Sequence, residues 1–379
     1  MTSPSAREQA IGRVAAGEPV KDVALRFNIQ PVALQRWVAE ETGVEGLVSA
    51  EQPAVRNGHV TIVDVARRAN LSKSVVSRAL RGQYGVSDEA RKKVEQAARE
   101  LGFVFNAAAQ NLSSYRTNTI GVLVRDASAA FYGEMQSALQ KRGTQVQNRV
   151  FITSGALDNH DERRALEDLI ALRVDGLIVC SGRLPAEEVK RFSGRFPVVV
   201  AGRPEADPAL NSVFGDEDAG AADLAQHLMD LGHREIGVLH PSMTASPILH
   251  RRTNIMAEEL KRRGATPHFL PIESTESVSS SLAAAPAAVT ALMCPNDRYA
   301  AACLELFEQG RPRLSVTGFD GVGGLASELI GITTWRQPID EMGSAAVDLL
   351  MKVIAEPGRP VERIAIPGQL RPSRSTVGI

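Results

Sequence analysis

Residues 72–78 read SKSVVSR, a set of side chains suited to a polyanion. Ser72, Ser74 and Ser77 carry short hydroxyls, and Lys73 and Arg78 carry charge one turn apart. Such groups bind phosphate oxygens and base edges. Ser72 is also a natural N-cap, and a helix N-terminus favours a phosphate by itself. Thr61 ahead of this run and Val75 within it complete the candidate DNA-facing set.

A second group of candidates follows apolar runs in the later chain. Asp126 follows TIGVLV, with Phe131 close behind it. Asn296 follows VTALMC, Asp320 follows SVTGF, and Trp335 lies in ITTWRQ. Amides and carboxylates beside aromatic faces suit a polyhydroxylated ligand, through hydrogen bonds to hydroxyls and stacking on apolar faces. Capping offers Asn296 and Asp320 an alternative role. Catalytic chemistry finds little support: there is no P-loop, no metal-ligand cluster and no nucleophile with an orienting partner, so neither an enzyme nor a metal or cofactor is expected. Cys180, Cys294 and Cys303 lack ligand spacing and read as apolar filler in a reducing compartment.

The elements that position SKSVVSR come from a repeat. VKDVALRFNIQPVALQRWV (20–38) aligns with IVDVARRANLSKSVVSRAL (62–80), forty-two residues on. In each, a short amphipathic helix meets Asn and an apolar residue, and a second helix begins two or three residues later. Asn tolerates the left-handed backbone of such a turn. Val65, Ala66, Leu71, Val76 and Leu80 have the spacing to pack two crossed helices, a helix-turn-helix whose second helix enters the major groove. From His59 to Thr117 ten Lys or Arg face five Asp or Glu, although the whole chain of 379 residues carries only −1. A basic excess confined to one small domain marks a nucleic-acid face.

Then comes FNAAAQNLSS (105–114). Asn106 can cap a short helix, Ala109 propagates it, and Leu112 is left apolar and exposed. A helix this short needs a partner to form, and Leu112 has the character of a minor-groove wedge. From Asn118 the pattern becomes α/β: strands are expected at 119–124, 174–180, 196–202, 235–240, 289–294 and 314–319. Helices are expected between them, at 131–142, 161–172, 220–231, 252–263 and 297–309. That rhythm means parallel sheets covered on both faces, with ligands beyond the strand carboxyl ends.

These residues carry a resemblance. The stretch from TIVDVARRANLSKSVVSRAL to YRTNTIGVLV resembles the head and hinge of the lactose-repressor (LacI/GalR) family. FGDEDAGAADLAQHLMDLGHREIGVL, CPNDRYAAACLEL, VTGFDG and ITTWRQPIDEMGSAAVDLL resemble its effector domain. The resemblance implies a homodimeric transcriptional regulator, most simply a repressor, with a periplasmic-binding-protein-like effector domain of two parallel-sheet α/β subdomains. It implies a palindromic double-stranded operator, hinge helices that set Leu112 into the central minor groove, and a sugar-like effector contacted by Asn296, Asp320 and Arg252. Three features depart from the family pattern: Phe105 stands where Pro is common, GRPRLSVTGFD is short, and LHRRTNIMAEEL has Ile255 where Gly is usual. His250, Arg251 and Arg252 together would instead suit an acidic effector.

Residues 6–41 are additional to that family, and resemble the helix-turn-helix of transposases and homeodomain-like regulators. Gln30, Val32, Gln35 and Arg36 are the candidates there for a second DNA contact, against a docking or dimerisation bundle with Trp37 in its core. The expected domains are 1–42, a linker at 43–58, the head at 59–105, the hinge at 106–117 and the effector domain at 118–379. A cytoplasmic location is expected, since no apolar run reaches membrane-spanning length and MTSPSAREQA lacks the apolar core of a signal peptide. Two other readings are a cytoplasmic sugar-binding protein with a docking head and a recombinase-like enzyme.

Overall fold

The computed structural model describes residues 6–27, 29, 33–34, 37–38, 41, 60–80, 84–103, 116–155, 159–204 and 207–379. Two compact units divide near residue 106. Within the first, residues 6–41 hold α1 (Ala6–Ala15) and α2 (Val20–Arg26), followed by helical residues 33–34, 37–38 and 41. Ala10, Ile11, Val23, Ala24, Leu34 and Val38 close a small core, against which Trp37 is half-buried.

The second helical group has a separate core. It holds α3 (Ile62–Ala69), α4 (Lys73–Leu80) and α5 (Asp88–Leu101). Val65, Ala66, Val76, Ala79, Val94 and Ala97 fill the space between the helices. Asn70 ends α3 in the left-handed region at φ 52°, as the tight turn requires. Ser87 caps α5 by accepting the Ala90 N–H, and Gly102 ends it at φ 63°.

The larger unit contains two six-stranded sheets. The first comprises β1 (Thr119–Val124), β2 (Arg149–Ser154), β3 (Gly176–Cys180), β4 (Val198–Ala201), β5 (Ser212–Gly215) and β11 (Arg363–Ile366). The second comprises β6 (Glu235–Pro241), β7 (Thr266–Ile272), β8 (Ala291–Met293), β9 (Ser315–Asp320), β10 (Thr333–Arg336) and β12 (Gln369–Arg371). Their orders are β11-β5-β4-β3-β1-β2 and β12-β10-β9-β8-β6-β7, parallel throughout except that β12 runs against β10. All six residues of β1 and all five of β3 are buried, as central strands covered on both faces must be.

Helices α6 (Ala130–Gln145), α7 (Asn159–Ala171), α8 (Ala186–Ser193) and α13 (Ile339–Ala355) cover the first sheet. Helices α9 (Glu217–Asp230), α10 (Pro247–Arg262), α11 (Val278–Ala283) and α12 (Asp297–Glu308) cover the second. The chain crosses between the sheets after β5, after β10 and after β11. In each sheet the strand order reverses beside the first strand, between β1 and β3 and between β6 and β8. A ligand crevice opens at such a switch point.

Candidate DNA-reading head and ligand cleft

Thr61 opens α3: its N–H (2.9 Å) and hydroxyl (2.6 Å) both donate to Asp64 Oδ2. Those bonds, with the Arg67 guanidinium beside it, hold the Asp64 carboxyl below its ordinary range. After the Asn70 turn the Leu71 N–H returns to the Ala66 carbonyl at 3.0 Å, which fixes where α4 begins. Ser72 accepts weakly from the Val75 N–H (3.4 Å) and lies 3.0 Å from the Ser74 hydroxyl.

Val76 and Ala79 face inward, so Ser72, Lys73, Ser74 and Arg78 are exposed, with Val75 and Ser77 half-buried beside them. Arg67 pairs with Asp64, Arg68 with Glu100 and Lys93 with Glu89. Lys73 and Arg78 have no ion-pair partner among the described residues. Their charge is therefore available to a phosphate or base edge. The hinge residues Asn106, Ala109 and Leu112, and Gln30, Val32, Gln35 and Arg36 of the first copy, lie outside the described residues.

Between the two sheets is a cleft of about 750 Å³. Arg125 and Asp126 reach it from β1, Arg183 from beyond β3, Asn296 and Asp297 from beyond β8, and Asp320 and Gln337 from β9 and beyond β10. Arg252 is its most constrained cation. The residue is 3% exposed, and its Nε and Nη2 donate to Glu217 Oε1 at 3.0 and 2.7 Å. Its Nη1 donates to the Pro295 carbonyl (2.9 Å) and to Asp320 Oδ1 (3.2 Å), and the guanidinium lies 4.0 Å from the Phe319 ring centroid. Burial opposes the charge, but Glu217 and Asp320 outweigh it and keep Arg252 protonated.

Asp320 sits at φ 105°, a strained backbone for a residue with a side chain. Its Oδ1 also accepts from Gln337 Nε2 at 2.6 Å, while no hydrogen bond to Oδ2 is formed among the described residues. Burial raises its carboxyl despite Arg252. Asn296 takes the capping role: Oδ1 caps α12 by accepting the Tyr299 N–H (3.2 Å), and the residue also lines the cleft. Asp126 Oδ1 accepts from the Ser128 hydroxyl (2.6 Å) and N–H (2.9 Å), which lowers its pKa and keeps it a carboxylate acceptor. Phe131 and Tyr132 meet edge to face at 5.2 Å on the same wall.

Two expectations are corrected. Trp335 does not line the cleft. It is wholly buried, stacks on Phe319 at 5.0 Å and donates from Nε1 to Asp223 Oδ2 at 3.1 Å. Gly220 and Gly368 make room for the indole: a Cβ on either would come within 2.8 Å of it. Nor do His250, Arg251 and Arg252 converge, because adjacent helical residues point in different directions. His250 binds the Pro241 carbonyl (2.8 Å), Arg251 is about half exposed beside Glu217, and only Arg252 lines the cleft.

Arg125, Arg183, Asp297 and Gln337 also line the cleft, without being among the residues expected there from the sequence. Asp297 accepts from Thr334 Oγ1 (2.6 Å) and the Gly321 N–H (2.7 Å), and burial together with Asp320 pushes its carboxyl up to about 7. A polar residue directly after a strand was the available signal for Arg125 and Gln337. Arg183 and Asp297 stand farther off, three and four residues beyond their strands. Among the described residues no cluster of His, Cys, Asp and Glu could hold a metal, and no helix is long and apolar enough to cross a membrane.

A helix-turn-helix joined in one chain to a two-sheet ligand cleft defines the class, that of DNA-binding regulators with a ligand-binding domain. Residues 61–106 match the family described as bacterial regulatory proteins, lacI family, and residues 225–376 match a periplasmic binding protein-like domain. Catabolite control protein A of Priestia megaterium is 32% identical over 220 residues, 57% of this chain and 64% of that protein, so this match spans just under two thirds of the relative. The HTH-type transcriptional regulator GalS of Salmonella typhimurium is 33% identical over 307 residues, 77% of this chain and 89% of that one. A crystal structure of the lac repressor dimer bound to operator and the anti-inducer ONPF shares the fold with a TM-score of 0.73 at 24% identity, covering 84% of this chain and 99% of that one. The chain belongs to the lacI family of bacterial regulatory proteins.

Proposed function

We propose that the protein is a homodimeric cytoplasmic transcription regulator, acting as a repressor, whose affinity for a palindromic operator is set by a sugar-like molecule in the cleft. Helix α4 reads the half-site: Ser72, Lys73, Ser74, Val75, Ser77 and Arg78 meet base edges and phosphates, and Thr61 meets the backbone ahead of them. Asn106, Ala109 and Leu112 complete the operator contact by family resemblance. In the cleft Asp320 Oδ2, Asn296 Nδ2 and Asp126 bind hydroxyls, with Phe131 against an apolar sugar face. Arg252 orients Asp320 while bonded to Glu217. No catalytic step is assigned to any of these residues.

The observation that carries this reading is the pair of exposed cations on α4, Lys73 and Arg78, which have no ion-pair partner among the described residues, in a chain that also folds a polar cleft between two sheets. Three chain crossings between the sheets allow the cleft to open and close, so a ligand bound by both walls favours one arrangement. Selection of bound sequences from random duplex, followed by anisotropy titration of the selected site against a panel of mono- and disaccharides, tests the proposal. A palindrome whose affinity shifts with one sugar is expected. Recovery of no motif sinks it.

A further inference from the structure

Residues 6–41 are outside both matched family regions, yet their described backbone repeats the head. Shifted by forty-two positions, Val23 falls on Val65, Ala24 on Ala66, Ile29 on Leu71 and Leu34 on Val76. Val23, Val65, Leu34 and Val76 are each 0% exposed. The bond that closes the turn is also repeated. Ile29 N–H donates to the Ala24 carbonyl at 2.9 Å, as Leu71 N–H donates to Ala66 at 3.0 Å.

That bond is a common helix ending, found also at Phe103 to Ala98 and Ala265 to Leu260, so the likeness rests on its falling at the same register as the buried pairs Val23 and Val65, and Leu34 and Val76. In both copies a further helix completes the inner core, but it precedes the pair in the first (Ala10 and Ile11) and follows it in the second (Val94 and Ala97). Both arrangements bury the matching apolar residue, Leu34 in the first and Val76 in the second.

We propose that residues 6–41 are a second DNA reader, which engages duplex flanking the half-site read by α4. By register, Ala33 stands where Val75 stands, and Arg36 stands where Arg78 stands. The module differs from the head in charge. Residues 6–41 contain five Lys or Arg and five Asp or Glu, and Arg13 and Arg26 both pair with Glu18. Such a module adds little non-specific attraction, since that term follows the number of phosphates neutralised. Its contribution is to choose sequence, and through a tether a weak reader still acts at high effective concentration.

The tether sets the range. Glu41 and Val60 are nineteen residues apart in the sequence, and a fully extended chain reaches at most roughly 65 Å over that length. At about 3.4 Å per base pair that reach spans about 19 base pairs, so the flanking motif is expected within about that distance of the α4 half-site, extended by the width of the two modules.

The test is selection from random duplex of about 80 base pairs with the full chain and with full-chain variants Ala33→Glu and Arg36→Ala, sedimentation being run on all three. The full chain is expected to recover a central palindrome and a flanking motif within that range. Both variants are expected to keep the palindrome and lose at least tenfold of the flanking enrichment, with sedimentation unchanged. A palindrome without flanks from the full chain overturns this inference and leaves the proposed function standing. Flanks that survive both substitutions overturn it as well. A changed oligomeric state in Ala33→Glu would assign the module to docking between copies instead. Recovery of no motif by any of the three overturns both readings.

Discussion

Arg252 and Glu217 form a charge pair that is almost wholly excluded from water, with side chains each 4% exposed. Replacing Arg252 by Met removes four hydrogen bonds and leaves the Glu217 carboxylate buried, with one oxygen already lacking a hydrogen bond and only the half-exposed Arg251 guanidinium 4.0 Å away. Breaking a buried pair on one side costs about 3–5 kcal/mol, because the surviving charge is uncompensated. Replacing both members by apolar residues removes that penalty, so Arg252→Met with Glu217→Leu is expected to recover at least about 2 kcal/mol. Asp320 keeps its bond from Gln337 in the double variant and remains partly hydrated. The chain has two tryptophans, Trp37 and Trp335. In a Trp37→Phe background, urea unfolding followed by fluorescence therefore reports from Trp335, inside the second sheet's core. A loss below about 1 kcal/mol for Arg252→Met, or a double variant no more stable than the single, would refute the assignment of Arg252 as the buried partner of Glu217.

Further outcomes follow from the same contacts. Burial and the neighbouring Asp320 push Asp297 from 3.8 up to about 7, so the folded state holds a proton that the unfolded state has already released. Its contribution to stability is therefore lost as pH rises from about 4 through 7, by at most about 4 kcal/mol, and urea midpoints should fall between pH 5 and pH 8 less steeply in Asp297→Asn. Equal slopes in the two proteins would contradict this. A Cβ on Gly220 would lie 2.8 Å from Trp335 and 2.9 Å from Phe319, so Gly220→Ala should cost about 1–3 kcal/mol by overpacking in the same unfolding assay. Lys73→Ala should lower the slope of log affinity for the selected duplex against log salt by about 1, whereas Arg67→Ala, whose cation is already paired with Asp64, should leave it unchanged.

Much of the fold is legible in the sequence because central parallel strands are buried on both faces: TIGVLV and VDGLIVC carry β1 and β3 as unbroken apolar runs. The strands β2 and β7 are not legible in that way. They lie at the edges of their sheets, and RVFITS and TPHFLPI are only partly buried. The head was readable from Asn70 and the inward spacing of Val65 and Val76, since a tight turn and a small core leave few alternatives.

The cleft was readable where a polar residue ends a strand or follows it within three positions. Asp126, Asn296 and Asp320 meet that condition and line the cleft, as does Phe131 one helix turn later. Trp335 lies on a strand, and its side chain took the core-facing side, where Gly220 and Gly368 leave room for an indole. Arg252 was placed by family resemblance, and its bonds to Glu217 and Asp320 join residues 35 and 68 positions distant, which no local pattern records.

The central claim is that a molecule bound in the cleft changes DNA affinity, and the most direct test separates the two sites. The selected operator is titrated by anisotropy with wild-type protein and with Asp320→Asn, each with and without the sugar found to act on wild type. The account predicts equal operator affinity for both proteins without sugar, a sugar-dependent shift of at least about tenfold in wild type, and a shift at least about fivefold smaller in the variant. The same sugar-dependent shift in both proteins would contradict it.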